Sequence, residues 1–405
     1  MGVIFVVAEA RKLGFVNGHP DWCNLGQGQP EVGEMPGAPP RIRTVELEPQ
    51  DQAYGHLEGT DELRAAVAAH YNRLYRKGMK SQYKPENVCV AQGGRLVLTR
   101  TMAALADINV GYQLPDYTAY QDMFETHLSR LTPIPVRALP ENGFEITQAQ
   151  FDRAIAESGI RAFVVSNPCN PTGRVLAGKR LEGIVNSARA SGCLLILDEF
   201  YSHFIYDGEK QGADPVSAAP LVEDVDRDPV ILIDGLTKSF RYPGWRMGWA
   251  VGPAKLMERM SRTASAIDGG PSRIAQRAAL KALEPKQADQ ETAALREMFS
   301  KKRNLMVRRL KEMGVTFAAE PNSTFYAWGN LEKLPEPLND AMPFFRKALE
   351  RKVMTVPGEF FDVNPGKRRT GESPYRRWMR FSFGPPIDNL TLGLDRLGEM
   401  VKRAK

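Results

Sequence analysis

Three polar residues stand where apolar runs end. The run 230–233 leads into Asp234-Gly235-Leu236-Thr237-Lys238, and the run 194–197 leads into Asp198-Glu199-Phe200-Tyr201. A third run, 162–166, leads into Asn167-Pro168-Cys169-Asn170-Pro171-Thr172-Gly173. An amine can form a Schiff base, a carboxylate can hold a protonated ring nitrogen, and an amide on a turn can bond a ring hydroxyl. Together these are what an enzyme needs to hold pyridoxal phosphate. Each also has a bland explanation: a surface lysine before a turn, a capping aspartate, a Pro-rich turn without a ligand. Their shared place at the ends of apolar runs favours the site.

The elements that would position them read as alternating strands and helices. Strands are expected at 87–91, 162–166, 194–198, 230–234 and 249–251, and helices at 61–76, 95–106, 148–156 and 178–190. The run 134–137, broken by Pro135, is an edge strand at best. Such alternation argues for a mainly parallel sheet covered on both faces, with its chemistry at the carboxyl ends of the strands. Residues 1–45, rich in Gly and Pro, read as an extended arm rather than a packed element. A long charged helix at 293–313 leads to an α+β part, with strands near 325–328, 353–356 and 380–383 and a closing helix at 390–403. The expected division is an arm at 1–45, a large domain at 46–290 and a small domain at 291–405, the arm contributing to the small domain.

Composition narrows the class. The chain has 405 residues, 42% apolar and 25% charged, enough to bury a large core in two domains. No apolar run approaches the length of a membrane span, and the start lacks a basic secretory n-region. The four cysteines are scattered, which suits a reduced cytoplasmic enzyme. The five histidines show no His-x-x-x-His spacing, so no metal is expected. The net charge of +6 is spread along the chain, so it points to anionic small molecules and a phosphorylated cofactor rather than nucleic acid. Gly26-x-Gly28 lacks the third glycine of a dinucleotide fingerprint.

Taken together, Asn-Pro-x-Asn-Pro-Thr-Gly, the downstream Asp-x-x-Tyr and the lysine segment resemble the class I/II aminotransferases, the fold-type-I pyridoxal-phosphate enzymes. The resemblance covers nearly the whole chain in order. It implies an α/β fold with a mainly parallel, seven-stranded sheet in the large domain and a smaller α+β domain. It implies that Lys238 forms the Schiff base and carries the proton, that Asp198 pairs with the pyridine nitrogen, and that Tyr201 and Asn170 bond the ring oxygen. Tyr117 matches the aromatic that stacks on the ring. Gly93, Gly94, Arg95, Thr237 and Arg246 match the phosphate site, Gly93-Gly94 preceding a helix whose free N–H groups attract anions. Arg380 matches the arginine that grips the substrate α-carboxylate, helped by Gly28 of the arm and by Asn170. Tyr54 resembles the tyrosine that reaches the phosphate from a neighbouring subunit, and Gly269-Gly270-Pro271-Ser272 another segment that approaches from the partner. Both imply a homodimer with shared active sites.

The implied reaction moves an amino group between an L-amino acid and a 2-oxo acid. On the same residues the alternative is elimination, replacement or cyclisation at a Cβ or Cγ leaving group. A DNA-binding regulator of this fold would need a module ahead of the arm. The chain departs from the family pattern at Gly235, where serine is usual, at Gln29 in Gly28-Gln29-Pro30, and at Ser323, where glycine is usual. Thr237 is placed to substitute in part for the missing serine. A dicarboxylate substrate would need a second arginine, with Arg41, Arg43, Arg95, Arg241 and Arg273 as candidates. A basic substrate would look to Glu9 or Glu34.

Overall fold

The computed structural model describes residues 2–206 and 215–404. Its centre is a seven-stranded sheet in the order Val88–Ala91, Gly248–Val251, Val230–Gly235, Leu194–Asp198, Ile160–Ser166, Ile108–Leu114, Leu131–Arg137. The five strands from Val230–Gly235 to Leu131–Arg137 are mutually parallel, and Gly248–Val251 runs antiparallel to both of its neighbours. Four of the strands (Val88–Ala91, Leu194–Asp198, Val230–Gly235, Gly248–Val251) are buried at every residue. That is why they read as continuous apolar runs: helices cover both faces of the sheet.

One strand escaped the sequence reading, and one expectation is corrected. Ile108–Leu114 is a full strand between two parallel neighbours, hidden in the sequence because Asn109, Gly111 and Gln113 interrupt its apolar run. The N-terminal region is not simply an extended arm. Gly2–Lys12 is an α-helix that buries Val6 and Ala10, and its Gly2 fits where any Cβ would fall on the Phe360 ring. A sequence that packs one narrow stripe and leaves its other apolar residues uncovered gives a weak helical signal. Leu131–Arg137, with Pro133 and Pro135, lies at the sheet edge as expected.

The long helix spans Pro285–Met313, starting about two turns before the expected position, with proline at its first residue and Gly314 (φ 104°) closing it in the left-handed conformation. Beyond it, Val356–Pro357, Trp378–Ser382 and Tyr326–Asn330 form a three-stranded antiparallel sheet, in that order. Cys23–Asn24 pairs in parallel with Val353–Met354. The following residues are stitched along the end of the Arg380 strand: Ser382 donates its N–H to the Leu25 carbonyl, and Glu31 its own to the Gly384 carbonyl. Lys302, fully buried, adds bonds of 2.6 Å to Glu31 and to the Pro385 carbonyl.

Candidate active site

The strand ends Ser166, Asp198 and Gly235 deliver the Asn170, Asp198 and Lys238 segments to one cavity of about 930 Å³. Its walls include Gly28, Gly94, Arg95, Tyr117, Tyr201, Thr237, Arg246 and Arg380. Of the residues expected to form the Schiff base or to hold the cofactor or the α-carboxylate, Gly93 and Tyr54 are not on these walls, nor is the Gly269-Gly270-Pro271-Ser272 segment. Gly93 (φ 86°) caps helix Gly94–Ala104, and a Cβ on it would fall on the Arg246 guanidinium. Tyr54 is fully exposed, at 101%.

Lys238 donates to the Gly28 carbonyl, so the segment before Pro30 is in direct touch with the amine. Burial pushes the lysine down to about 7, with the charges of Arg380 and Arg246 acting in the same direction. Near neutrality much of this amine is therefore uncharged and nucleophilic. Asp198 is buried and accepts a 3.0 Å bond from the Tyr120 hydroxyl. Burial raises its carboxyl to about 6, the Tyr120 bond opposing the shift. A cation placed against Asp198 would return it to the carboxylate form.

Arg380 is 1% exposed and touches segments distant in the chain. One guanidinium nitrogen donates to Asn170 Oδ1 at 2.9 Å and another to the Gly26 carbonyl at 2.7 Å. Its flat face sits 4.2 Å from the Tyr326 ring centroid, while Nε is buried without a protein partner. The Tyr201 hydroxyl pairs with that of Tyr326 at 2.9 Å, and Arg95 Nε donates to the Tyr117 hydroxyl at 3.4 Å.

The donor set fits pyridoxal phosphate. At one end stand Arg246, the Gly93-Gly94 helix start and Thr237, whose Oγ1 is buried with no partner of its own. Glycine is demanded at both cradle positions, since a Cβ on Gly94 would fall on the Phe200 ring. Along the cavity follow an amine and a buried carboxylate. An unpaired buried hydroxyl costs stability unless a ligand satisfies it, and here an anion would.

The family model for aminotransferase class I and II matches residues 20–397. The chain belongs to the class I and II aminotransferases. It is 28% identical to an aspartate aminotransferase of Sulfurisphaera tokodaii, over 93% of this chain and 89% of that one. It is 27% identical to aromatic-amino-acid aminotransferase 2 of Thermococcus litoralis, over 98% and 96%. Among solved structures it resembles the aspartate aminotransferase of Thermus thermophilus with maleate (TM-score 0.81, 25% identity, 99% of this chain and 96% of that one). It also resembles the aromatic aminotransferase of Pyrococcus horikoshii OT3 (TM-score 0.78, 25% identity, 98% and 99%). This aminotransferase is thus a pyridoxal-phosphate-dependent enzyme of fold type I that handles amino acids and oxo acids.

Two contributors to the aminotransferase site escaped the sequence reading. Tyr120 belongs to Asp198, three residues beyond the tyrosine expected to stack, and only the turn into helix Ala119–Glu125 aims it there. Tyr326 touches both Tyr201 and Arg380 from a strand of the other sheet. No local sequence signal marks a contact between distant segments. The departure at Gly235 has a steric reason: a Cβ there would fall on the Met247 carbonyl and lie 2.7 Å from Gly248 Cα.

Proposed function

We propose that Lys238 is the Schiff-base lysine and proton carrier of this transaminase, and that Arg380 binds the α-carboxylate of the amino donor. The observation that carries the reading is the meeting, in one cavity, of the Lys238 amine, lowered to about 7, and the buried Arg380 guanidinium. When bound, the cofactor supplies an aldehyde that condenses with amines and a ring that draws electrons from the adjacent bond. Everything else falls to the chain. Arg380, steadied by Asn170 and Gly26, presents a planar fork to a carboxylate and so fixes the direction of the Cα–H bond. Lys238 Nζ, largely uncharged just above neutral pH, would take the proton from the donor's Cα and return it to the carbon on the other side of the nitrogen. Asp198, held by Tyr120, would keep a proton on the ring nitrogen, while Asn170 and Tyr201 would serve the ring oxygen and Tyr117 the ring face.

Arg246, Gly93, Gly94 and Thr237 would hold the phosphate, Thr237 taking over the hydroxyl contact that Gly235 cannot supply. The full exposure of Tyr54 supports its reaching the phosphate of a second copy, so the working unit is a homodimer with shared sites. We also place the enzyme in the cytoplasm, a reading supported by four cysteines, all buried and free.

The test is reduction of the holoenzyme with borohydride followed by peptide mapping. The cofactor is expected on Lys238, and Lys238→Ala is expected to bind cofactor reversibly while losing exchange between amino and oxo acids. A label on any other residue refutes the assignment.

A further inference from the structure

The N-terminal helix has two apolar stripes. Val6 and Ala10 face the core, and Phe5 packs against Phe345 and Phe360. Val3, Ile4 and Val7 are spaced to share the other side, where Val3 and Val7 pack half-buried at the margin of the core and Ile4 is 65% exposed. Yet these three line the same cavity as Lys238 and Arg380, joined there by Phe15 and Trp22 of the loop that follows. Phe15 and Trp22 brace each other edge to face at 5.4 Å. A cavity whose working end is cationic thus continues to an apolar patch, with Asn17, His19 and Asn24 also on its walls.

The arginines that a second carboxylate would require are occupied. Arg41 and Arg241 are bound to Glu291, Arg43 to Glu34 and Arg273 to Asp51. Arg95 does reach the cavity, but it is the second residue of the helix whose start forms the phosphate cradle, it donates to Tyr117, and it feels the charge of Asp122 on the same wall. Lys238, Arg246 and Arg380 already have roles.

From this we infer that the amino donor carries an apolar side chain of leucine to phenylalanine size, seated against Val3, Ile4 and Val7. The inference rests on the roles proposed for Lys238 and Arg380, and it sets this chain apart from the relatives named for aspartate. Burying an apolar side chain against this patch removes it from water, whereas a distal carboxylate seated there would be desolvated beside valine and isoleucine.

The experiment has two readouts on the holoenzyme. The first is kcat/KM for single amino donors, followed by loss of the cofactor's aldehyde-form absorbance, with leucine, methionine and phenylalanine against aspartate, glutamate, lysine and alanine. The apolar donors are expected to lead aspartate and glutamate by roughly tenfold or more. The second is calorimetric binding of unreactive acids, 4-methylpentanoate and 3-phenylpropanoate against succinate, in which the monocarboxylates are expected to bind more tightly. Ile4→Asp, at an exposed position, is expected to lower the leucine-to-alanine ratio of kcat/KM by about tenfold. A preference for aspartate or glutamate overturns the inference, and would mean that a cation from a second copy completes a dicarboxylate site. An unchanged leucine-to-alanine ratio in Ile4→Asp, or no reaction with any apolar donor, overturns it as well. Failure of the Lys238 assignment would show separately, as a borohydride label elsewhere.

Discussion

Lys238 should make the cofactor-free protein's stability depend on pH in a way that reports its burial. In the folded chain its amine loses its proton near 7, against 10.5 for an ordinary lysine. Between those values the unfolded chain holds a proton that the folded chain does not, so stability rises with pH across the window. The contribution is complete above the unfolded value and is lost as pH falls through the folded one. Moving a lysine that far corresponds to on the order of 5 kcal/mol, at about 1.36 kcal/mol per pH unit. Because the amine is only partly buried within an open cavity, screening by water reduces the expected figure to about 2–3 kcal/mol. The perturbation is Lys238→Met, which keeps the stem and removes the titrating group. Urea unfolding of both apoproteins is measured from about pH 6.5 to about pH 10 and compared at each pH. The variant should be the more stable by about 2–3 kcal/mol at the acid end, with the gap closing as pH rises. A gap that stays flat across the range would refute the claim that burial and the neighbouring arginines depress this amine.

Two further outcomes follow from the cradle. Gly235→Ser, which restores the residue usual in the family, should destabilise by about 1–3 kcal/mol or more, because its Cβ has nowhere to go between Met247 and Gly248; thermal melting of the apoprotein checks this, and an unchanged or higher midpoint would contradict it. Thr237→Val should stabilise the apoprotein slightly, by relieving an unpaired buried hydroxyl, while weakening cofactor binding by roughly tenfold, about 1.4 kcal/mol. Thr237→Ser should restore the affinity in a fluorescence titration.

Much of the site could be read from the chain because the chemistry of parallel sheets sits at strand ends. Asp198 and Lys238 interrupt or follow runs too apolar to be anything but buried strands, and the turn around Asn170 carries two prolines that no strand interior would accept. Where burial is one-sided or broken the signal fails. The strand Ile108–Leu114 alternates with Asn, Gly and Gln, and the helix Gly2–Lys12 divides its apolar residues between the core and a cavity. Tyr120 and Tyr326 look like any core tyrosines until the fold sets one against Asp198 and the other against Arg380.

Sequence alone therefore settled the fold class, the cofactor and the order of the polar groups, since each depends on residue type and on spacing along one segment. The tertiary structure decided what depends on distance between segments. It brought Gly26, Asn170 and Tyr326 around one arginine, put Gly28 against the Lys238 amine, and closed position 235 to any side chain. It also turned the first residues of the chain into a wall of the site. Charge, burial and steric room are properties of a neighbourhood, and the neighbourhood exists only once the chain has folded.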